Sequence, residues 1–126
     1  MLIFVGRLLM LKPLSFIFTI AIAFSFSPQL IANTTPLTQT EIDRELSTVP
    51  QWQQQGNTIT RTFEFKNFVE AIDFVNKLVE PAETAAHHPD IAISYNKVTV
   101  SLTTHDAGGL TQKDFELAQT FSELNN

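Results

Sequence analysis

The chain has 126 residues, a formal charge of −5 and no cysteine. That length predicts one domain of ordinary size. The acidic balance argues against nucleic acid as a partner, since gripping a phosphate backbone needs basic patches, and without cysteine the fold must be held by packing alone.

Residues 1–32 differ from the rest. They contain Arg7 and Lys12 but no acid, and the apolar run LSFIFTIAIAFSF extends from Leu14 to Phe26. A basic flank, an apolar centre and a small residue at Ala32 read as a secretory signal cleaved after Ala32, although Leu30 is larger than the usual partner two positions earlier. Met10 would begin a more ordinary signal, MLKPLSFIFTIAIAF. An uncleaved anchor is the alternative, because Pro13 to Ala32 matches the roughly 20 residues that span a bilayer. In both cases the bases precede the apolar run, so the remainder is expected to be exported, with membrane contact confined to residues 1–32. Residues 33–37 read as a polar linker and 38–126 as the folded domain.

Within that domain the first helix begins at Thr38, whose spacing to Glu41 is that of a capping box; Ile42, Leu46 and Val49 form its apolar stripe and Pro50 ends it. WQQQGNTITRTFEF reads as a hairpin turning at Gly56-Asn57. Ile59, Arg61, Phe63 and Phe65 share one strand face, with Arg61 the misfit, while Thr58, Thr60, Thr62 and Glu64 share the other. Asn67 with Glu70 caps a second helix whose apolar side is expected to be Phe68, Ile72, Val75 and Val79, and Pro81 is expected to stop it. IAISYNKVTVSLTT then gives two strands around Asn96-Lys97, with Val98, Val100 and Leu102 alternating against Thr99 and Ser101. A last helix starts at Thr111, capped by Asp114, and carries Phe115, Ala118, Phe121 and Leu124. The order α-β-β-α-β-β-α predicts a two-layer α+β domain: a four-stranded antiparallel sheet with helices on one face.

All three histidines fall in one short span. His87 and His88 lie in ETAAHHPD and His105 in TTHDAGGL. Imidazole, with an unperturbed pKa of about 6.5, both gives and takes protons near neutrality, so this concentration suggests general acid–base chemistry. A zinc site fits less well, because adjacent histidines point in different directions and no typical ligand spacing is present; no metal is expected.

Glu83, three residues, His87-His88-Pro89, five residues, Tyr95, nine residues, His105, eight residues and Asp114 form a pattern that resembles the signature of the pterin-4a-carbinolamine dehydratases. The resemblance extends to Trp52 with Gly56, to FEFKNFVEAIDFVNKL and to YNKVTVSLTTHDAGGLTQKD, and it runs from about Leu37 to the end. It implies a lyase that dehydrates 4a-hydroxytetrahydrobiopterin to quinonoid dihydropterin and water, with no cofactor. His87 and His105 become the proton-transfer pair on either side of the pterin, and His88 orients substrate or assists the departing hydroxyl. Glu83, one helical turn before His87, is expected to hold it by a hydrogen bond, and Asp106 to raise the basicity of its neighbour His105. Trp52 either walls the pterin pocket or is buried against the sheet. Thr103 and Thr104 are candidate pterin contacts through their backbone groups. Asp114 reads as a helix cap, Tyr95 as core or turn packing, and Gly108-Gly109 as a turn.

The resemblance also implies a homodimer paired through sheet edges or a homotetramer formed through helices, and the edge strands of so small a sheet favour the same outcome. Two features depart from the family. Ala86 stands where many members carry a polar residue, and an export segment is unusual for relatives that act in the cytoplasm. An alternative reading follows, a dehydratase-like fold reused as a non-catalytic binding or assembly module; retention of all three histidines favours the enzyme.

Overall fold

A computed structural model describes residues 35–125 of the chain. The expected export segment at 1–32 therefore lies outside the described residues, and among those described no helix is long and apolar enough to cross a membrane. The elements follow the expected order: α1 Gln39–Leu46, β1 Gln53–Gln55, β2 Thr58–Glu64, α2 Phe68–Ala85, β3 Asp90–Ser94, β4 Lys97–Leu102, a 3₁₀ turn His105–Ala107, and α3 Gln112–Glu123. The strands form one antiparallel sheet in the order β1-β2-β4-β3.

Local signals start the helices. The Thr38 backbone N–H and hydroxyl both donate to the Glu41 carboxylate, at 2.8 and 2.7 Å. These bonds, with Arg44 nearby, hold Glu41 below the usual carboxylate range. At α2 the Asn67 side chain accepts from the Glu70 N–H at 2.9 Å, and Glu70 in turn accepts from the Lys66 N–H. The Thr38 and Glu70 N–H groups are among the donors that the start of a helix leaves without an internal partner.

The register sets the sheet's two faces. Ile59 pairs with Leu102, Arg61 with Val100 and Phe63 with Val98; their core-facing side chains meet Phe74 and Leu78 of α2 and Phe115, Ala118 and Phe121 of α3 in one buried cluster. On the opposite face Thr60 bonds Ser101 and Thr62 bonds Thr99, each at 3.0 Å, so hydroxyl pairs replace apolar contacts there. Arg61 fits the apolar side by laying its guanidinium 4.1 Å above the Phe63 ring and donating to Ser122 Oγ at 2.9 Å. Burial lowers its pKa.

Three expectations need correction. The buried face of α2 is Ala71, Phe74, Leu78 and Ala82, whereas Phe68 and Val79 are more than half exposed. The helix is apolar around two arcs, and the one with alanines at either end is the one that lies against the sheet. Pro81 does not stop this helix, which continues through Ala85. The carbonyl that a proline at 81 leaves without its partner is that of Lys77, an exposed residue, so water can satisfy it while Ala82 stays buried one turn later. The second hairpin turns at Tyr95-Asn96, one residue earlier than expected, because Ser94 pairs with Lys97. Tyr95 takes a positive φ of 54° and is largely exposed, so it belongs to the turn and not to the core. Asn96 is tied back by its side-chain amide donating to the Phe65 carbonyl at 2.7 Å.

Candidate active site

The site grows from the end of α2. Ala86 closes the helix in the left-handed conformation, φ 47°. The His87 N–H reaches the Ala82 carbonyl and the Ala86 N–H the Glu83 carbonyl, both at 3.1 Å. This paired closure is a Schellman motif, which usually employs glycine at the left-handed position. Pro89 follows three residues past Ala86 and prevents the chain from re-entering a helix. The reversal fixes the His87 backbone and lets two consecutive imidazoles leave the helix end toward different neighbours.

His87 turns inward. Its Nε2 lies 2.7 Å from Oδ1 of Asp114, a carboxylate with no exposure. Asp114 occupies the third position of α3, where its Oδ2 accepts from the Thr111 N–H at 2.8 Å, as the capping spacing predicts. The same oxygen accepts from the Thr104 hydroxyl at 2.8 Å, and Thr104 Oγ1 is 2.8 Å from Thr111 Oγ1. Asp114 is thus both the helix cap that was expected and the partner of His87 that was not.

His88 turns outward and bonds Glu83 at 2.8 Å. Glu83 therefore meets the second histidine of the pair, not the first as expected, because the left-handed turn at Ala86 carries His87 past it. His88 and Glu83 border a shallow groove of about 170 Å³ whose other walls are apolar residues of α2, Pro89 and Ile91.

His105 opens the 3₁₀ turn and is exposed. It follows Thr104 directly, so the segment that carries it is anchored to Asp114 by the Thr104 hydroxyl. The segment is closed by an isolated bridge between Thr104 and Gly109, with Gly108 at φ 72° ending the turn. It is held from two sides: Thr103 Oγ1 donates to the Asn57 carbonyl at 2.6 Å, and the Leu37 N–H donates to the Leu110 carbonyl at 2.8 Å. Gly109 lies against Pro36, where an added Cβ would make an ordinary van der Waals contact of 3.6 Å with Pro36 Cβ.

The remaining expected site residues fall as follows. Thr104 is buried, and its backbone N–H and carbonyl are taken by Gly109, so its hydroxyl, not its backbone, bears on the site. The Thr103 hydroxyl is spent on the β1–β2 turn. Asp106 is exposed, and no hydrogen bond joins it to His105 among the described residues. Trp52 is 3% exposed, with its indole N–H donating to Ser122 Oγ at 3.0 Å, so it lies in the core and leaves no face for a ligand to stack on. Thr111 was read only as a helix start; the Thr111-x-x-Asp114 spacing was the signal, and it does not reveal what else Asp114 holds. Among the described residues no three His, Asp or Glu side chains cluster as a metal site would require.

An α+β sheet carrying a buried histidine–carboxylate pair beside a tethered histidine loop defines a class of small domains equipped for proton transfer. Comparison with known proteins narrows this class. Residues 35–124 match the family model described as pterin 4 alpha carbinolamine dehydratase, and the chain belongs to that family. A relative from Picosynechococcus sp. named "Putative pterin-4-alpha-carbinolamine dehydratase" is 72% identical over 90 residues, covering 71% of this chain and 98% of that one. A relative of the same name from a Cyanothece species is 63% identical over 89 residues, covering 71% of this chain and 92% of its own length. Among solved structures, a transcriptional coactivator/pterin dehydratase from Brucella melitensis superposes with a TM-score of 0.70 at 33% identity, over 73% of this chain and all of that one. A pterin dehydratase-like RuBisCO assembly factor of the alpha-carboxysome shares the fold at 20% identity, TM-score 0.52, over 60% of this chain and 90% of its own.

Proposed function

We propose that this protein is a hydro-lyase that converts 4a-hydroxytetrahydrobiopterin to quinonoid dihydropterin and water. A proton leaves the pterin ring nitrogen and the 4a-hydroxyl departs as water once protonated, so the reaction needs one base and one acid and nothing else. His87 and His105 are the pair that fills these roles, with His88 orienting substrate or assisting the hydroxyl. General acid–base groups of this kind contribute about 10²–10⁴-fold to a rate. The observation that carries the reading is the buried Asp114 carboxylate spent on His87: a scaffold gains little from enclosing that pair, whereas a base gains a fixed orientation.

The chain acts outside the cytoplasm in this reading, delivered by residues 1–32, and self-associates as a homodimer or homotetramer. The exposed Ile91 and Ile93 of edge strand β3, with Phe68 and Val79 of α2, supply the apolar surface for that association. Purified full-length protein is expected to accelerate the spectroscopic decay of 4a-hydroxytetrahydropterin above the spontaneous rate. No acceleration would favour the alternative, a non-catalytic binding or assembly module; the carboxysomal protein of the same fold is named as an assembly factor.

A further inference from the structure

Nothing in the proposed chemistry uses Thr104, yet its hydroxyl is buried at the centre of the hydrogen-bond network. Thr104 Oγ1 lies 2.8 Å from Asp114 Oδ2, to which it donates, and 2.8 Å from Thr111 Oγ1. A hydroxyl has a single hydrogen. Since that of Thr104 goes to the carboxylate, the Thr111 hydroxyl donates to Thr104, and the chain runs Thr111 O–H to Thr104 O–H to Asp114 Oδ2. The Thr111 N–H adds a second donor on the same oxygen. Oδ2 is pinned from two directions, the carboxyl plane cannot rotate, and Oδ1 is left facing His87.

An ionised carboxylate accepts hydrogen bonds and never donates them. With Asp114 ionised, the hydrogen in the 2.7 Å contact with His87 sits on Nε2. In a neutral imidazole the other nitrogen, Nδ1, then carries the lone pair. Nδ1 has no hydrogen-bond partner among the described residues, and no buried side-chain nitrogen or oxygen there goes without one, so Nδ1 is the nitrogen open to solvent.

We infer that Thr104 is a positioning residue: the Thr111–Thr104–Asp114 relay holds His87 in its Nε2–H tautomer, so that Nδ1 is the atom that exchanges a proton with the substrate. The last clause rests on the dehydratase reading; the tautomer does not.

The test is long-range ¹⁵N–¹H NMR on the ¹⁵N-labelled full chain at a pH where the imidazoles are neutral, with the His87 signals assigned through His87→Gln. Wild-type His87 should show a protonated Nε2 and an unprotonated Nδ1. In Asp114→Asn the two donors keep the amide oxygen in the Oδ2 place, the NH₂ meets Nε2, and the tautomer inverts. Dehydration should then fall roughly 10²–10⁴-fold, the contribution of a mis-set base. Thr104→Val should mix the tautomers and lower kcat about tenfold with KM within about twofold, and Thr104→Ser should restore both. A wild-type His87 protonated on Nδ1, or a Thr104→Val protein with unchanged tautomer and kcat, overturns the relay. Should Asp114→Asn fail to fold, the Val and Ser pair still decides. Should the wild type lack dehydratase activity, the functional reading falls while the spectra still judge the tautomer.

Discussion

His87 and His88 are neighbours, and each touches one carboxylate at nearly the same distance, 2.7 Å to Asp114 and 2.8 Å to Glu83. Their surroundings separate them. The side chains of the first pair are 11% and 0% exposed, those of the second 62% and 69%. In the first, the carboxylate is shut off from water and each of its oxygens has an assigned donor, so removing a partner strands buried polar groups. In the second, water can replace either partner and salt screens what remains, so the contact is worth little. Equal distances thus conceal unequal consequences: one pair can fix the orientation of its imidazole, and the other leaves its imidazole free to reorient.

Replacing the histidines separately puts that contrast to its hardest test. His87→Ala is expected to lower kcat roughly 10²–10⁴-fold, against about tenfold for His88→Ala. Steady-state kinetics showing equal losses would erase the distinction. Asp114→Ala should cost about 2–4 kcal/mol of stability in denaturant titration, because it strands the buried Thr104 hydroxyl and removes the α3 cap as well as releasing His87. Ala86→Gly acts on the turn that separates the two imidazoles; relieving the left-handed alanine should stabilise the protein by about 0.5–1 kcal/mol, seen as a raised Tm. Glu83→Gln should be the mildest change, within about 0.5 kcal/mol of wild type by the same titration. A larger loss would mean that the outer pair is also structural.

Much of this arrangement was legible from the residues. Thr38, Asn67 and Thr111, each three positions ahead of a carboxylate, marked the helix starts, because capping is a local bond that needs no knowledge of the fold. The alternation in β2 and β4 marked their buried faces, since a sheet covered on one side permits only one assignment. The buried side of α2 was not legible, because apolar residues line two of its arcs and only the sheet selects between them. Glu83 was assigned the wrong histidine because helical spacing was extended across Ala86, where the chain has already left the helix. Asp114 appeared only as a cap because its second partner comes from 27 residues away. Trp52 remained ambiguous in the sequence, since an aromatic beside a strand suits a pocket wall as well as a core; the Ser122 hydroxyl, 70 residues distant, settles it inward.

The bond from the Leu37 N–H to the Leu110 carbonyl gives the start of the domain a mechanical role. The loop that bears His105 is moored partly by the residues that lead into α1, with Pro36 against Gly109. A chain shortened past Leu37 would lose this one tie, and the loop would then hang on the Thr103 and Thr104 hydroxyl bonds alone, with the sheet intact.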